Sequence, residues 1–122
     1  MPTSSSKYKY SELYNFGNRF ISVQHTRLRL GASQLNSHLH KIGVLDTPKC
    51  RCGSSVEDTW HYVFACPLYT VPRSTLHSAI TSLAPFTLQT ILYGSCTCSL
   101  LNNELIFSAT HGYISATGHF KP

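Results

Sequence analysis

The residues able to do chemistry are concentrated in one short stretch: Cys50-Arg51-Cys52, eight residues, His61, four residues, then Cys66-Pro67. Three thiols and an imidazole are the soft ligands of a closed tetrahedral zinc site. Cys50 and Cys52, two apart in an extended turn, point to the same side and can share one ion. His61 and Cys66 stand five apart, about 140° around an ideal α-helix and too far for one smooth face. The expectation is therefore a helix ending at Cys66, where Pro67 disfavours the α conformation and lets the thiol swing back toward His61. With four protein ligands the Zn2+ keeps no open position, so its expected role is structural, contributing ~10 kcal/mol or more of folding free energy. A second Cys-x-Cys, Cys96 and Cys98, has only His111 and His119 beyond it and reads as ordinary loop cysteines. His25, His38, His40 and His77 read as surface or helix-edge histidines.

The elements that must position these ligands read as helices. Residues 1–15, rich in Ser, Lys and Tyr without a period, form a lead-in, and residues 16–122 form one domain with its zinc knot at 48–69. From about Phe16 a weakly patterned helix carries Val23, Leu28 and Leu30 and stops at Gly31. Ser33 caps a second helix with Leu35, Leu39 and Ile42, ended by Gly43. Asp46-Thr47-Pro48 is a turn that favours an extended approach to Cys50. In the ligand helix, Ser54-x-x-Glu57 and Ser55-x-x-Asp58 offer capping boxes. Val56, Trp60, Val63 and Phe64 form a single apolar stripe there, with Trp60 in the core and walling the site together with Phe64. A helix over about Pro72 to Ala84 follows, carrying Leu76, Ala79, Ile80 and Leu83. After an apolar piece from Phe86 to Tyr93, an Asn102 or Asn103 cap precedes a last helix with Leu105, Ala109, Tyr113 and Ala116. The fold class is mainly α: a small helical domain with one Cys-Cys-His-Cys zinc knot built from a short extended turn and a helix.

Composition narrows the partners. No run of 18 apolar residues exists, so no membrane span is expected. The polar start, Met1 to Ser6, lacks an apolar segment behind basic residues, so a reducing, intracellular location (cytoplasmic or nuclear) is expected, where clustered Cys and His mean metal. The net charge of +5 is lopsided. Residues 1–51 hold eight Lys/Arg against two acids, and residues 52–122 hold two against three. A basic front half suits a polyanion, nucleic acid above all. Arg27, Arg29, Lys41, Lys49 and Arg51 are the candidate phosphate contacts. No small-molecule substrate is indicated.

One block of residues resembles a known family. It runs Arg27-Leu28-Arg29-Leu30-Gly31, Leu35-x-x-His38-Leu39, and Ile42-Gly43-x-x-Asp46-x-Pro48-x-Cys50-x-Cys52-Gly53. It continues through Glu57-Asp58-x-x-His61 and Cys66-Pro67-x-Tyr69-x-x-x-Arg73-x-x-Leu76. Together with Leu92-Tyr93-Gly94 and Tyr113-Ile114-x-x-Thr117-x-x-Phe120, it resembles the C-terminal zinc-binding region of reverse transcriptases from LINE-type (non-LTR) retrotransposons. The resemblance implies Cys50, Cys52, His61 and Cys66 as ligands and a role in gripping RNA or target DNA beside a polymerase body. The chain departs from the family at His119, where a basic residue is usual, and at Pro72, where the helix is usually continuous.

Catalysis does not come with the resemblance. Two-metal polymerisation and nuclease chemistry need clustered carboxylates. The two aspartates, Asp46 and Asp58, lie twelve apart, and no Tyr-x-Asp-Asp occurs. A zinc deaminase would need His-x-Glu and Cys-x-x-Cys, both absent. The expectation is a non-enzymatic, zinc-stabilised nucleic-acid-binding module from a retrotransposon reverse transcriptase. The alternatives are a zinc-stapled protein-interaction module and a retroelement remnant without function.

Overall fold

The last helix is the one the others pack on. The computed structural model describes residues 19–120, so the lead-in over 1–15 and the helix start at Phe16 lie outside the described residues. Within them run α1 (Arg19–Leu30), α2 (Asn36–Lys41), α3 (Thr70–Thr81), α4 (Leu88–Tyr93) and α5 (Leu100–Thr117). A π-helical turn at His61–Ala65 and a 3-10 turn at Pro67–Tyr69 lie between α2 and α3. No strand occurs among the described residues, and the mainly helical class is as expected. α5 packs against α1, α3 and α4, and α1 also meets α4.

α5 buries Asn103, Ile106, Phe107, Thr110, Tyr113 and Ile114, a stripe at helical spacing. This corrects the expected face: Tyr113 belongs to it, but Leu105 is exposed and Ala109 is only partly buried. The cause is polar residues placed inside. Thr110 donates its hydroxyl to the Ile91 and Ile106 carbonyls. Asn103 accepts from the Ser95 amide and donates to the Ser95 carbonyl. Satisfied in this way, they cost little to bury and blur the apolar pattern. Gly94 lets that loop close: its φ is +78°, and a Cβ there would stand 2.7 Å from Asn103 Oδ1. The helix starts one turn earlier than expected, with Ser99 accepting from the Asn102 amide. α3 matches its expected face, with Leu76 and Ile80 buried.

α1 departs in the same manner as α5. Its buried residues are Ser22, Gln24, His25 and Leu28, while Leu30 is 74% exposed. His25, expected at the surface, is in the core. Its Nε2 lies 3.1 Å from the Ile91 carbonyl, which can only accept, so Nε2 carries the proton and donates. Nδ1 is then the acceptor for Nε2–H of His111, 3.0 Å away. Both rings are held neutral. Burial, then the Arg29 charge, lowers His25 to about 3 and His111 to about 4.

A pH dependence follows, with its sign set by the lowered values. The unfolded chain takes up protons below the ordinary histidine value of 6.5, whereas the folded pair does not. Stability is therefore intact above pH 6.5 and falls as pH drops toward 4. The expected loss is about 1–2 kcal/mol between pH 6.5 and 5.5 from the pair. Denaturant titrations of the native protein and of His111→Leu check this. The variant should lose about one proton of pH slope, while any acid sensitivity of the metal ligands stays common to both.

Candidate metal centre

The four ligands meet. Cys50, Cys52, His61 and Cys66 offer donor atoms that all lie within 4.8 Å of one another, and this cluster could hold a metal ion. Cys50 Sγ is 3.7 Å from Cys66 Sγ, and Cys52 Sγ is 3.3 Å from His61 Nε2. A tetrahedral ion with thiolates at ~2.3 Å separates two sulfurs by roughly 3.8 Å, which the Cys50–Cys66 pair matches. Cys50, His61 and Cys66 are buried and Cys52 is partly so. Burial first, then the neighbouring Cys52 and Cys66 thiols, push the Cys50 thiol up to about 12, while the Ser54 backbone N–H holds Cys52 below its ordinary value. Buried thiolates this close need a cation to compensate them.

Two backbone devices make the cage. The first is a knuckle: Gly53 N–H donates to the Cys50 carbonyl and Cys50 N–H to the Ser54 carbonyl. Gly53 sits at φ +103° with open space around it, so backbone conformation is what asks for glycine. The second differs from the expected long helix. Asp58 accepts from the His61 amide at 2.8 Å and starts a short helical turn, which then switches to π bonding. Cys66 N–H donates to the His61 carbonyl, five residues back. The i→i+5 bond brings Cys66 under His61, which the 140° separation on an α-helix would not do. Cys66 itself is extended (φ −68°, ψ 121°), as Pro67 requires. Arg73 of α3 then clamps the turn, donating Nε–H to the Val63 carbonyl (2.9 Å) and Nη2–H to the Cys66 carbonyl (2.6 Å).

Neither expected capping box forms. Glu57 instead joins four segments beside the cage. Its carboxylate accepts from the Asn36 amide (2.7 Å) at the start of α2, from His119 Nε2 (3.0 Å) and from the Cys50 thiol (3.5 Å). Its backbone N–H donates to the Pro48 carbonyl. Burial opposes its ionisation, yet the His119 and Asn36 hydrogen bonds leave it below the ordinary carboxylate value. Asn36 also donates Nδ2–H to the Lys49 carbonyl at 2.6 Å. Sequence reasoning missed this role and that of Arg73. The available signal for Glu57 was an acid between ligands in a chain with five Asp and Glu in all.

The apolar stripe expected on the ligand helix is not buried as one face. Val63 is inside, but Val56 is 38% exposed and Trp60 57% exposed. Tyr62, absent from the expected stripe, is fully buried. Phe64 does pair with Trp60, ring centres 5.7 Å apart. Among the candidate phosphate contacts, Arg27, Lys41, Lys49 and Arg51 are exposed. Lys49 and Arg51 flank Cys50 on the knuckle. Arg29 is turned inward, donating to the Leu92 carbonyl (3.1 Å) and to Thr26 Oγ1 (2.7 Å) over the Phe107 ring. Cys96 is exposed, and Cys98 Sγ lies 3.5 Å from the Leu83 carbonyl. No group of three possible ligands forms around them among the described residues. None of the described helices is long and apolar enough to cross a membrane.

Part of the chain is similar to retrotransposon proteins. Over 39 residues, 32% of this chain, it is 46% identical to the "Retrovirus-related Pol polyprotein from type-1 retrotransposable element R1" of Bradysia coprophila, covering 4% of that protein. Over 49 residues, 40% of this chain, it is 40% identical to the "Putative 115 kDa protein in type-1 retrotransposable element R1DM" of Drosophila melanogaster, covering 5% of that protein. The chain thus matches about a twentieth of the length of these curated relatives. No protein-family model and no solved structure matches.

Proposed function

We propose that this chain is a zinc-stabilised nucleic-acid-binding module derived from a retrotransposon reverse transcriptase, in which the metal is structural and the chain carries no polymerase or nuclease centre of its own. Three thiols and an imidazole within 4.8 Å of one another are a donor set that favours zinc over harder ions. The observation that carries nucleic-acid binding is the placement of Lys49 and Arg51, exposed on the knuckle that the metal would hold rigid. The partial similarity to R1 retrotransposon proteins supports the origin.

Binding by charge neutralisation weakens with salt in proportion to the phosphates contacted. The double variant Lys49→Ala/Arg51→Ala is expected to bind a single-stranded oligonucleotide about tenfold more weakly at low salt. Its log–log salt slope should be shallower by about 1.4, since each phosphate contact to a single strand contributes about 0.7. Filter-binding or anisotropy over a salt series measures both, with bound zinc as the folding control. Unchanged affinity and slope in a zinc-loaded double variant would sink the proposal.

A second reading rests on a different feature. A cavity of about 530 Å³ opens between α3 and α5, lined by Val71, Pro72, Leu76, Ala79, Gly112 and Tyr113 among others. Val71 is 78% exposed at its edge. In this reading zinc staples a domain whose apolar groove docks on a protein such as the polymerase body of a longer chain. Nucleic-acid affinity that is absent or indifferent to salt would favour it.

A further inference from the structure

Trp60 is the chain's one tryptophan and the largest side chain beside the cage, yet it is 57% exposed. Left in water it forgoes the burial that normally fixes such a ring. One side of the indole is nevertheless held. Phe64 lies 5.7 Å away at 49°, and Phe64 rests edge-on against Phe86 at 5.2 Å. Phe86 is in turn edge-on to His77 at 4.8 Å. Phe64 and Phe86 are partly buried and packed against the core. They form a stiff backing for a ring that is itself open to solvent.

The ring and two exposed cations belong to segments that meet at one centre. Trp60 directly precedes His61, and Arg51 directly precedes Cys52; the ligand atoms of His61 and Cys52 are 3.3 Å apart. The indole and the guanidinium therefore each leave the chain one residue, about 3.8 Å between Cα atoms, from a member of the same cluster. Lys49, on the other side of Cys50, adds a second exposed cation. Asp58, two residues before Trp60, is turned onto the His61 amide. An exposed, backed aromatic ring and two exposed cations carried by segments of one cluster match a phosphodiester chain with an unpaired base: cations take the phosphates, and the ring takes the π-face of the base.

We infer that Trp60 is a stacking platform for an unpaired base of a single-stranded nucleic acid whose phosphates are held by Lys49 and Arg51. This rests on the nucleic-acid reading above and adds the strand state of the ligand. A paired base, stacked on both faces within a duplex, offers Trp60 no free ring.

Zinc-loaded protein is titrated with oligouridine, oligothymidine and a duplex of about 12 nucleotides, within the usual site sizes for single strands. The sole tryptophan reports directly. Its fluorescence is expected to be quenched by the single strands and not by the duplex, and the two sugars separate an RNA from a DNA ligand. Trp60→Ala should weaken single-strand binding about tenfold, with the salt slope unchanged because no phosphate contact is lost. Trp60→Phe should retain most of the affinity. Bound zinc and circular dichroism establish that each variant is folded. Native binding without quenching, equal quenching by duplex, or full affinity in Trp60→Ala overturns the stacking role. In that last case a Lys49→Ala/Arg51→Ala variant that still binds weakly leaves the charge reading standing. No binding by the native protein overturns both.

Discussion

Cys66→Ser, or exhaustive treatment of the native protein with a chelator, is expected to abolish the cooperative unfolding transition. The cage links the knuckle to the ligand turn directly. The knuckle at 50–53 and the turn at 61–66 meet through Cys50–Cys66 and Cys52–His61, with sulfur and nitrogen atoms 3.7 and 3.3 Å apart. Cys66 is fully buried, so a serine there loses a ligand and leaves a hydroxyl in an apolar setting. A structural zinc contributes ~10 kcal/mol or more in small zinc peptides. Domains of this size are stable by about 5–15 kcal/mol in all. Subtracting the first from the second leaves little or nothing. Metal analysis should find about one bound ion per chain in the native protein and a much weaker one in the variant. Circular dichroism should show a broad, sloping melt for the variant. A Cys66→Ser protein that melts as sharply and as high as the native one excludes a structural metal.

Tyr62→Ala is expected to cost about 3–5 kcal/mol, the range for deleting a large buried aromatic. Tyr62 has no exposure and contacts four rings edge-on: Tyr69, Tyr113, His119 and Phe120, with centres 5.3 to 5.6 Å away. These come from the 3-10 turn, α5 and the chain end, so the ring joins the ligand turn to the C-terminal helix. Its hydroxyl shares a hydrogen bond with Thr117 at 2.8 Å, and its carbonyl accepts from the Tyr113 hydroxyl. Tyr62→Phe keeps the ring contacts and loses only the first of these bonds. Thr117 Oγ1 still donates to the Ile114 carbonyl, so the cost should be about 1 kcal/mol. Guanidinium unfolding of the two variants, zinc-loaded, measures both values. Equal losses for Ala and Phe would place the energy in the hydroxyl and contradict the packing account.

Residue type and spacing alone singled out the four residues that converge, because metal chemistry restricts the donors and a Cys-x-Cys followed by His and Cys-Pro is rarely accidental. They also located α3, whose Leu76 and Ile80 are buried where an apolar period puts them. The stops at Gly31 and Gly43 were legible for a similar reason, since both take positive φ values that favour glycine. These are local properties of the chain.

Which faces turned inward was decided by the tertiary structure. α1 and α5 bury His25, Asn103 and Thr110, and a polar residue is cheap to bury only when a partner elsewhere in the chain satisfies it. Ile91, 66 residues from His25 and 19 from Thr110, supplies one carbonyl to both. Glu57 likewise resembled a cap until Asn36, Cys50 and His119 converged on it. Pairs so distant in sequence leave no periodic trace. The same holds at the cage. Residue type and spacing require Cys66 to come back to His61 if the two are to share an ion. That it does so through a π turn clamped by Arg73, with Tyr62 buried and Trp60 left outside, is a consequence of packing. The Cys66-to-His61 π bond, the Arg73 bonds to the Val63 and Cys66 carbonyls and the burial of Tyr62 are all made by the same turn.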